Sequence, residues 1–263
     1  MKKRAFCKIL LTILLTVCLL GDKTVLFISA EDTAYLAPTP DAGEEYQDSL
    51  VFFGESTTAH LKSRGVLRHG RETEQVWANE SGTLLLSQKI TSQTIRYPET
   101  GEHLTIGEAV ARKRPTYLVL SFGLNGITGF ARNTDRYLEC YQALIDEVQR
   151  ASPKTAIILQ TVYPVTSPTD GSAWHFSQSP QEINRMIDTL NRSLPRLSEA
   201  NTGVMIADSA SVLRDESGAL RAEYSIGDGI HLTASAYREI LSYLNTHAYH
   251  LPTPLPITPD QWR

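Results

Sequence analysis

The 263-residue sequence is long enough for one large domain with a substantial core, and its composition, 41% hydrophobic and 21% charged, is that of an ordinary globular protein. Residues 31–263 hold 20 basic residues against 28 acidic ones, which gives a net charge of −8. So acidic a chain argues against a nucleic-acid partner and against binding to an anionic membrane surface.

Residues 1–30 have the pattern of a secretory signal peptide. Basic residues at positions 2–4 precede an apolar run from Ile9 to Leu20, and Ala30 offers a small residue for cleavage. The run is shorter than the roughly 20 apolar residues of a membrane-spanning helix. The residues before Cys18 resemble a bacterial lipoprotein box. We therefore expect a secreted or extracytoplasmic protein, with a membrane tether through residues 1–30 as the alternative.

The number of cysteines beyond residue 30 excludes both an intrachain disulfide and a cysteine-built zinc site there. Beyond residue 30, Cys140 is the only cysteine, so neither an intrachain disulfide nor a cysteine-built zinc cluster can form. Its helical surroundings predict a buried small hydrophobic residue. Histidines and carboxylates show no cluster with metal-ligand spacing apart from Asp228 and His231, so we expect no metal and no other cofactor.

Strand-like and helix-like segments alternate after residues 31–47, an acidic, proline-containing stretch that we interpret as a linker or an irregular lead-in. Near-continuous apolar runs predict buried strands at 49–53, 75–78, 117–122, 155–162 and 204–207. Apolar spacing predicts helices over 137–148, over 180–194 behind a capping box at Ser179, and over 234–244 behind Thr233. We therefore predict a three-layer α/β/α sandwich with a central, mostly parallel five-stranded sheet, spanning a domain at 48–252 before a proline-rich tail at 253–263.

Ser56 is the candidate nucleophile. It follows Gly54 just past the first predicted strand, at the sheet edge where ligands bind in such folds. A helix N-cap is the alternative interpretation of a serine at this position. A serine hydroxyl needs a base, and His231 is the only one of seven histidines with a carboxylate, Asp228, three residues before it in the same turn. The pattern predicts a Ser–His–Asp triad.

Acyl transfer also needs donors for the charge that develops on the carbonyl oxygen. Asn125 lies between two glycines directly after the third predicted strand, and Gly82 follows the second predicted strand. We predict an oxyanion hole made by the backbone N–H groups of Ser56 and Gly82 and the side-chain amide of Asn125.

These four blocks, in this order, resemble the SGNH/GDSL hydrolase superfamily, whose name comes from the residues that are here Ser56, Gly82, Asn125 and His231. The resemblance covers residues 48–250. It implies a flavodoxin-like fold and hydrolysis of carboxylic esters through an acyl-enzyme, without a metal. Two positions depart from the family pattern: Glu55 stands where aspartate is usual, and Gly126 replaces an aspartate that often follows the asparagine.

The expected function is that of an exported bacterial serine esterase acting on a small-molecule or polysaccharide ester, with carbohydrate O-acetyl groups as the preferred substrate class. Trp174, in the polar loop from Pro164 to Ser179, and Glu55 are candidate substrate-binding residues. One alternative is a lipase-like or thioesterase-like acyl hydrolase, or an O-acyltransferase. A second is a catalytically silent carbohydrate-binding relative, for which Glu55 is the only hint.

Overall fold

Five parallel strands form the centre of the domain in this computed structural model, which describes residues 34–79 and 81–250. They are β1 (Leu50–Gly54), β2 (Val76–Trp77), β5 (Tyr117–Ser121), β6 (Ala156–Gln160) and β7 (Val204–Ala207), in the spatial order β2-β1-β5-β6-β7. A separate antiparallel hairpin pairs β3 (Thr94–Arg96) with β4 (His103–Thr105). The predicted five-stranded sheet is confirmed.

Helices cover both faces of this sheet. They are α1 (Gly43–Ser49), α2 (Ser56–Arg64), α3 (Ile106–Lys113), α4 (Ile127–Arg132), α5 (Thr134–Ala151), α6 (Pro180–Asn191), α7 (Pro195–Ala200) and α8 (Ala234–Thr246). One core contains α3, α5 and α6 with alternate strand residues such as Leu118 and Leu120, while the other contains α2 and α8 with Val119. Because both faces are covered, all five residues of β1 and of β6 are buried, which explains their continuous apolar sequence.

The helix caps that the sequence predicts at Ser179 and Thr233 are confirmed. The Ser179 side chain accepts from the N–H of Glu182, whose carboxylate accepts from the N–H of Ser179, and Pro180 opens α6. The Thr233 hydroxyl accepts from the N–H of Ala236 at the start of α8. Cys140 is buried within α5, as its surroundings predict.

The stretch that the sequence predicts to be a linker or an irregular lead-in packs against the sheet where the structure describes it. The N–H of Leu36 donates to the carbonyl of Ile206 at 2.8 Å, and Tyr35 forms a parallel bridge to the same residue. This segment therefore covers the outer edge of β7, whose backbone groups would otherwise lack partners. Residues 43–49 then form α1, whose last residue, Ser49, was assigned to the first strand from the sequence.

Two further predictions, the signal segment at 1–30 and the tail at 253–263, lie outside the described residues. Within the part of the chain that the structure describes, no helix combines the length and the apolar character that crossing a membrane requires.

Candidate active site

The nucleophile candidate lies in a sharp turn between β1 and α2. Gly54 ends β1, Glu55 is extended, and Ser56 is the first residue of α2. A Cβ atom on Gly54 would lie 2.2 Å from the Thr58 hydroxyl oxygen and 2.4 Å from the Ser121 carbonyl oxygen. Only glycine allows β1, β5 and α2 to approach this closely, and the close approach places Ser56 at the carboxyl edge of the sheet.

Ser56, His231 and Asp228 meet in hydrogen-bonding geometry, although the serine is 175 residues from the histidine in the chain. His231 Nε2 lies 3.2 Å from Ser56 Oγ, and His231 Nδ1 lies 2.6 Å from Asp228 Oδ2. The histidine can therefore take a proton from the serine while the carboxylate holds the opposite ring nitrogen. The fold therefore brings together the three side chains that the sequence predicts to be the nucleophile, the base and the orienting acid.

The turn that carries Asp228 is tightly constrained. Burial alone would raise the pKa of Asp228, but hydrogen bonds from the N–H of Ile230 and from the side chain and N–H of His231 outweigh it and lower that pKa. Gly229 has φ +80°, and a Cβ there would lie 2.1 Å from the carbonyl oxygen of Thr166. The loop that follows β6 is therefore packed directly against the turn that carries Asp228 and holds it in place. The hydrogen bonds to the Asp228 carboxylate favour its ionised form.

Glu55 is not a substrate-binding residue, contrary to the prediction. Its side chain is buried, and its two carboxylate oxygens accept hydrogen bonds from the backbone N–H groups of Leu124 at 2.9 Å and Asn125 at 3.0 Å. Burial raises the pKa of Glu55 to about 7, although these N–H donors favour the ionised form. The residue ties the nucleophile turn to the loop that carries Asn125, and so acts inside the protein.

The Asn125 side chain has a free hydrogen-bond donor at the predicted oxyanion position. The Asn125 side-chain nitrogen makes one long hydrogen bond, 3.4 Å, to the carbonyl of Leu84, which leaves its second hydrogen for a ligand. Gly126, with φ +88°, begins α4 in a left-handed conformation that aspartate would adopt at a cost.

The other glycine candidate lies next to the nucleophile but has a different hydrogen bond. A Cβ on Gly82 would lie 3.9 Å from Ser56 Cα, so the predicted proximity is present. Its N–H, however, donates to the carbonyl of Asn79 at 3.0 Å. Gly82 would have to release that bond to donate to an oxyanion, so its donor role stays a prediction, whereas the Ser56 N–H at the start of α2 points out of the helix end.

His60 is a neighbour of the triad that the sequence did not reveal. It lies one helical turn after Ser56 on α2, and its ring centroid is 4.6 Å from that of His231. Burial lowers the pKa of His60 most, and the neighbouring His231 ring and Arg64 guanidinium lower that pKa further. Its Nδ1 atom is buried with no hydrogen-bond partner in the described structure. A neutral His60 therefore packs against the ring of the base, and the i, i+4 spacing from Ser56 was the available signal.

The loop around Trp174 is polar and mostly exposed. The Trp174 ring packs, partly buried, against the core and against Phe176, and its Nε1–H donates to the carbonyl of Gln178 at 2.6 Å. None of these described contacts includes a triad side chain, so a substrate role for Trp174 stays a prediction. Across the described residues, no group of three or more His, Cys, Asp or Glu side chains could hold a metal ion.

Comparison with known proteins gives one family. The sequence profile of the GDSL-like lipase/acylhydrolase family matches residues 52–239. No curated protein matches the sequence.

Several solved structures are similar to this chain. A GDSL-like lipase from Bacteroides thetaiotaomicron is 16% identical, with 78% of this chain and 88% of that chain covered and a TM-score of 0.48. A carbohydrate esterase of family 3 from Talaromyces cellulolyticus is 14% identical, with 74% and 93% covered and a TM-score of 0.48. A family 3 carbohydrate esterase from Clostridium thermocellum is 15% identical, with 75% and 93% covered and a TM-score of 0.43.

The family profile spans more than half of the chain, and it includes the nucleophile turn, the Asn125 loop and the Asp228–His231 turn. The protein therefore belongs to the GDSL-like lipase/acylhydrolase family and is a hydrolase.

Proposed function

We propose that this protein is an exported serine esterase that cleaves carboxylic esters through an acyl-enzyme, and that O-acetyl groups on carbohydrate are its substrates. The observation that carries the esterase proposal is the hydrogen-bonded series Ser56–His231–Asp228 at the carboxyl edge of the sheet. Export is supported by the composition of residues 1–30.

The proposed reaction has two steps. Ser56 Oγ attacks the ester carbonyl carbon while His231 Nε2 takes the hydroxyl proton, and the tetrahedral intermediate collapses as His231 returns that proton to the departing alcohol. Water then attacks the acyl-enzyme, giving a proton to His231, and the Ser56–acyl bond breaks as His231 returns that proton to Ser56 Oγ and the acid is released. Asp228 stabilises the imidazolium in both steps, and the Ser56 N–H and the Asn125 amide donate to the oxyanion.

The acetyl-carbohydrate substrate is supported by the surface beside the site. The loop at 164–179 presents mostly exposed polar side chains, and its two large apolar residues, Trp174 and Phe176, are packed together and partly buried. A long acyl chain would need an apolar groove for its methylenes, each contributing about 0.8 kcal/mol when buried. A polar rim suits hydroxyl groups of a sugar better.

Covalent labelling tests the nucleophile. A fluorophosphonate ester should label the full-length protein once, on the peptide that contains Ser56. Ser56→Ala should abolish labelling and lower kcat by about 10⁴-fold or more, because the nucleophile and base act as a unit. Ser63→Ala is the matched control, since Ser63 lies on the same helix and its hydroxyl bonds only the His60 carbonyl. Undiminished labelling of the Ser56→Ala protein would exclude this assignment.

A second candidate function, a lipase-like or thioesterase-like acyl hydrolase, is favoured by two residues. Leu85 and Ile226 are the large hydrophobic side chains in the described residues that are strongly exposed, at 44% and 42%. Leu85 lies near Gly126, where an added Cβ would be 3.6 Å from Leu85 Cδ1, and Ile226 lies two residues before Asp228. They therefore stand on the oxyanion side and the acid–base side of the site, where an acyl chain could bury them.

Acyl-chain length separates the two functions. With p-nitrophenyl esters from acetyl to decanoyl, we expect kcat/KM to be highest for acetyl and to fall steeply beyond butyryl. The Leu85→Ser and Ile226→Ser variants should then hydrolyse the acetyl ester like the unmodified protein. A profile that rises toward octanoyl, and that both serine variants depress for the long esters alone, would instead establish the lipase-like function.

A further inference from the structure

A groove of about 1050 Å³ lies beside the nucleophile helix, and we call it the cationic groove. Its walls are α2 with the turn that follows, the residues after β2, and the β3–β4 hairpin. Four of its lining residues are basic: Lys62, Arg64, Arg71 and Arg96. None of the described residues that line it is acidic.

The positive charge of the groove is not neutralised by ion pairs within the described residues. The Nε–H of Arg64 donates to the carbonyl of Leu232, and that of Arg71 donates to the carbonyl of Ser63, so both guanidinium groups are held by uncharged acceptors. Neither Lys62 nor Arg96 is in a described salt bridge. All four basic side chains therefore keep a positive charge that an anionic ligand can pair with.

The acidic residues nearest in sequence to Arg96 are occupied elsewhere. Glu99 pairs with Lys113, and Glu102 pairs with Arg112, so both carboxylates of the hairpin face α3. Residues 31–263 carry a net charge of −8. The groove differs from this average, because its lining holds four cations and no described acidic residue. The groove is thus a local positive field on an acidic protein.

The cationic groove lies beside the triad, although no triad residue is among the described residues that line it. Ala59, which lines it, lies one turn after Ser56 on α2, and its Cβ would be 3.3 Å from a Cβ on Gly82. At the other side, the carbonyl that Arg64 binds belongs to Leu232, the residue after His231. A chain held in the groove would therefore present one of its substituents to the triad.

We propose that the cationic groove binds an anionic polysaccharide, and that the ester cleaved at Ser56 is an O-acyl group on that polymer. This inference rests on the proposed esterase function and specifies its substrate class. A guanidinium fork pairs with planar or tetrahedral oxyanions through two hydrogen bonds, and lysine binds them as a point charge. The volume of the groove is at the upper end of small-ligand pockets and suits several sugar residues. Carboxylate and phosphodiester groups share this chemistry, and the substrates below separate them.

The test compares three polymers of equal acetyl content with the purified full-length protein: acetylated polygalacturonate, an acetylated phosphodiester-linked glycan, and neutral acetylated xylan. Acetate release gives kcat and KM for each, and p-nitrophenyl acetate reports the triad alone. The groove variant is Lys62→Gln with Arg96→Gln. The matched control is Lys154→Gln with Arg114→Gln, which removes one lysine and one arginine at the amino ends of β6 and β5, the opposite edge of the sheet.

We expect an anionic polymer to have the lowest KM, and the groove variant to raise that KM about tenfold, as does 0.5 M salt, while kcat/KM for p-nitrophenyl acetate changes less than about twofold. The control variant should resemble the unmodified protein. Equal KM values for neutral and anionic polymers, or an anionic preference that survives in the groove variant, would overturn the proposal. Whichever anionic polymer is preferred identifies the group that the groove recognises.

Binding to an inactive protein separates this proposal from the esterase proposal. Calorimetry with Ser56→Ala and the non-acetylated polymers measures the groove without catalysis. If Ser56→Ala binds the anionic polymer, the added groove substitutions remove that binding, and the unmodified protein hydrolyses no ester, the groove proposal stands and the esterase function is refuted. Hydrolysis without any anion binding would do the reverse.

Discussion

Among single residues, Glu55 connects the two halves of the site most directly. Its carboxylate accepts hydrogen bonds from the N–H groups of Leu124 and Asn125, so it joins the nucleophile turn to the Asn125 loop. Burial raises the pKa of this carboxyl group to about 7, from an ordinary value of 4.5. A group whose pKa is higher in the folded state stabilises the fold fully below its unfolded pKa, and that contribution is lost as pH rises through the folded value.

The pH dependence of stability should therefore differ between the unmodified protein and Glu55→Gln, which is uncharged at every pH. Between pH 4.5 and 8 the Glu55→Gln variant should gain stability relative to the unmodified protein, by an amount on the order of 3 kcal/mol at most. Urea unfolding at several pH values measures this difference. A constant difference over that range would mean that the two N–H donors keep Glu55 ionised throughout.

The control for that measurement is Glu182→Gln. Glu182 is exposed in the α6 capping box, where hydrogen bonds from the Ser179 N–H and hydroxyl lower its pKa. Its carboxylate is therefore ionised across pH 5 to 8, and its substitution should shift stability by the same amount at each of those pH values.

Secondary-structure elements place the site through close backbone approach. The β1–α2 turn depends on Gly54, whose Cα lies where a side chain would collide with Thr58 and with the backbone of β5. On the other side, the Tyr237 hydroxyl of α8 donates to the Thr57 carbonyl of α2 at 2.6 Å. The helix that follows His231 is thus joined to the helix that begins with Ser56.

Gly54→Ala should consequently reduce both stability and activity. The added methyl must separate β1 from β5 or from α2, and overpacking of this kind costs roughly 1–3 kcal/mol or more. Urea unfolding and hydrolysis of p-nitrophenyl acetate measure the two effects. Gly129→Ala is the control: Gly129 lies in α4, and a methyl added there would meet no neighbouring atom within 4 Å, so alanine should be neutral or slightly stabilising. Equal behaviour of the two variants would contradict the close-approach argument.

At the scale of the whole molecule, the sign of the net charge differs from the sign of the charge in the cationic groove. Residues 31–263 are acidic, which argues against nucleic acid and an anionic membrane surface as partners, yet four cations lie in a groove beside the triad. Net charge is a sum over all surfaces, whereas a ligand meets the field of one groove. A composition argument could therefore exclude a generally basic protein but not a local basic site.

Elements that depend on neighbours in the chain could be predicted from the sequence. Strands β1 and β6 could be recognised as apolar runs because all of their residues are buried, and the Asp228–His231 pair could be recognised because three residues place both side chains in one turn. The β3–β4 hairpin was missed since three-residue strands are too short to show a period.

The contacts between segments far apart in the sequence were decided by the tertiary structure. It brought Ser56 to 3.2 Å from His231, turned Glu55 inward to the Asn125 loop, set His60 against the catalytic ring, and made part of a predicted linker cover the edge of β7. The sequence by itself determined the strands, the helix caps and the chemistry available, because these follow from local backbone and side-chain preferences. Which polar groups are buried, paired or open to a ligand depends on the packing of elements far apart in the chain, and only the folded structure specifies that packing.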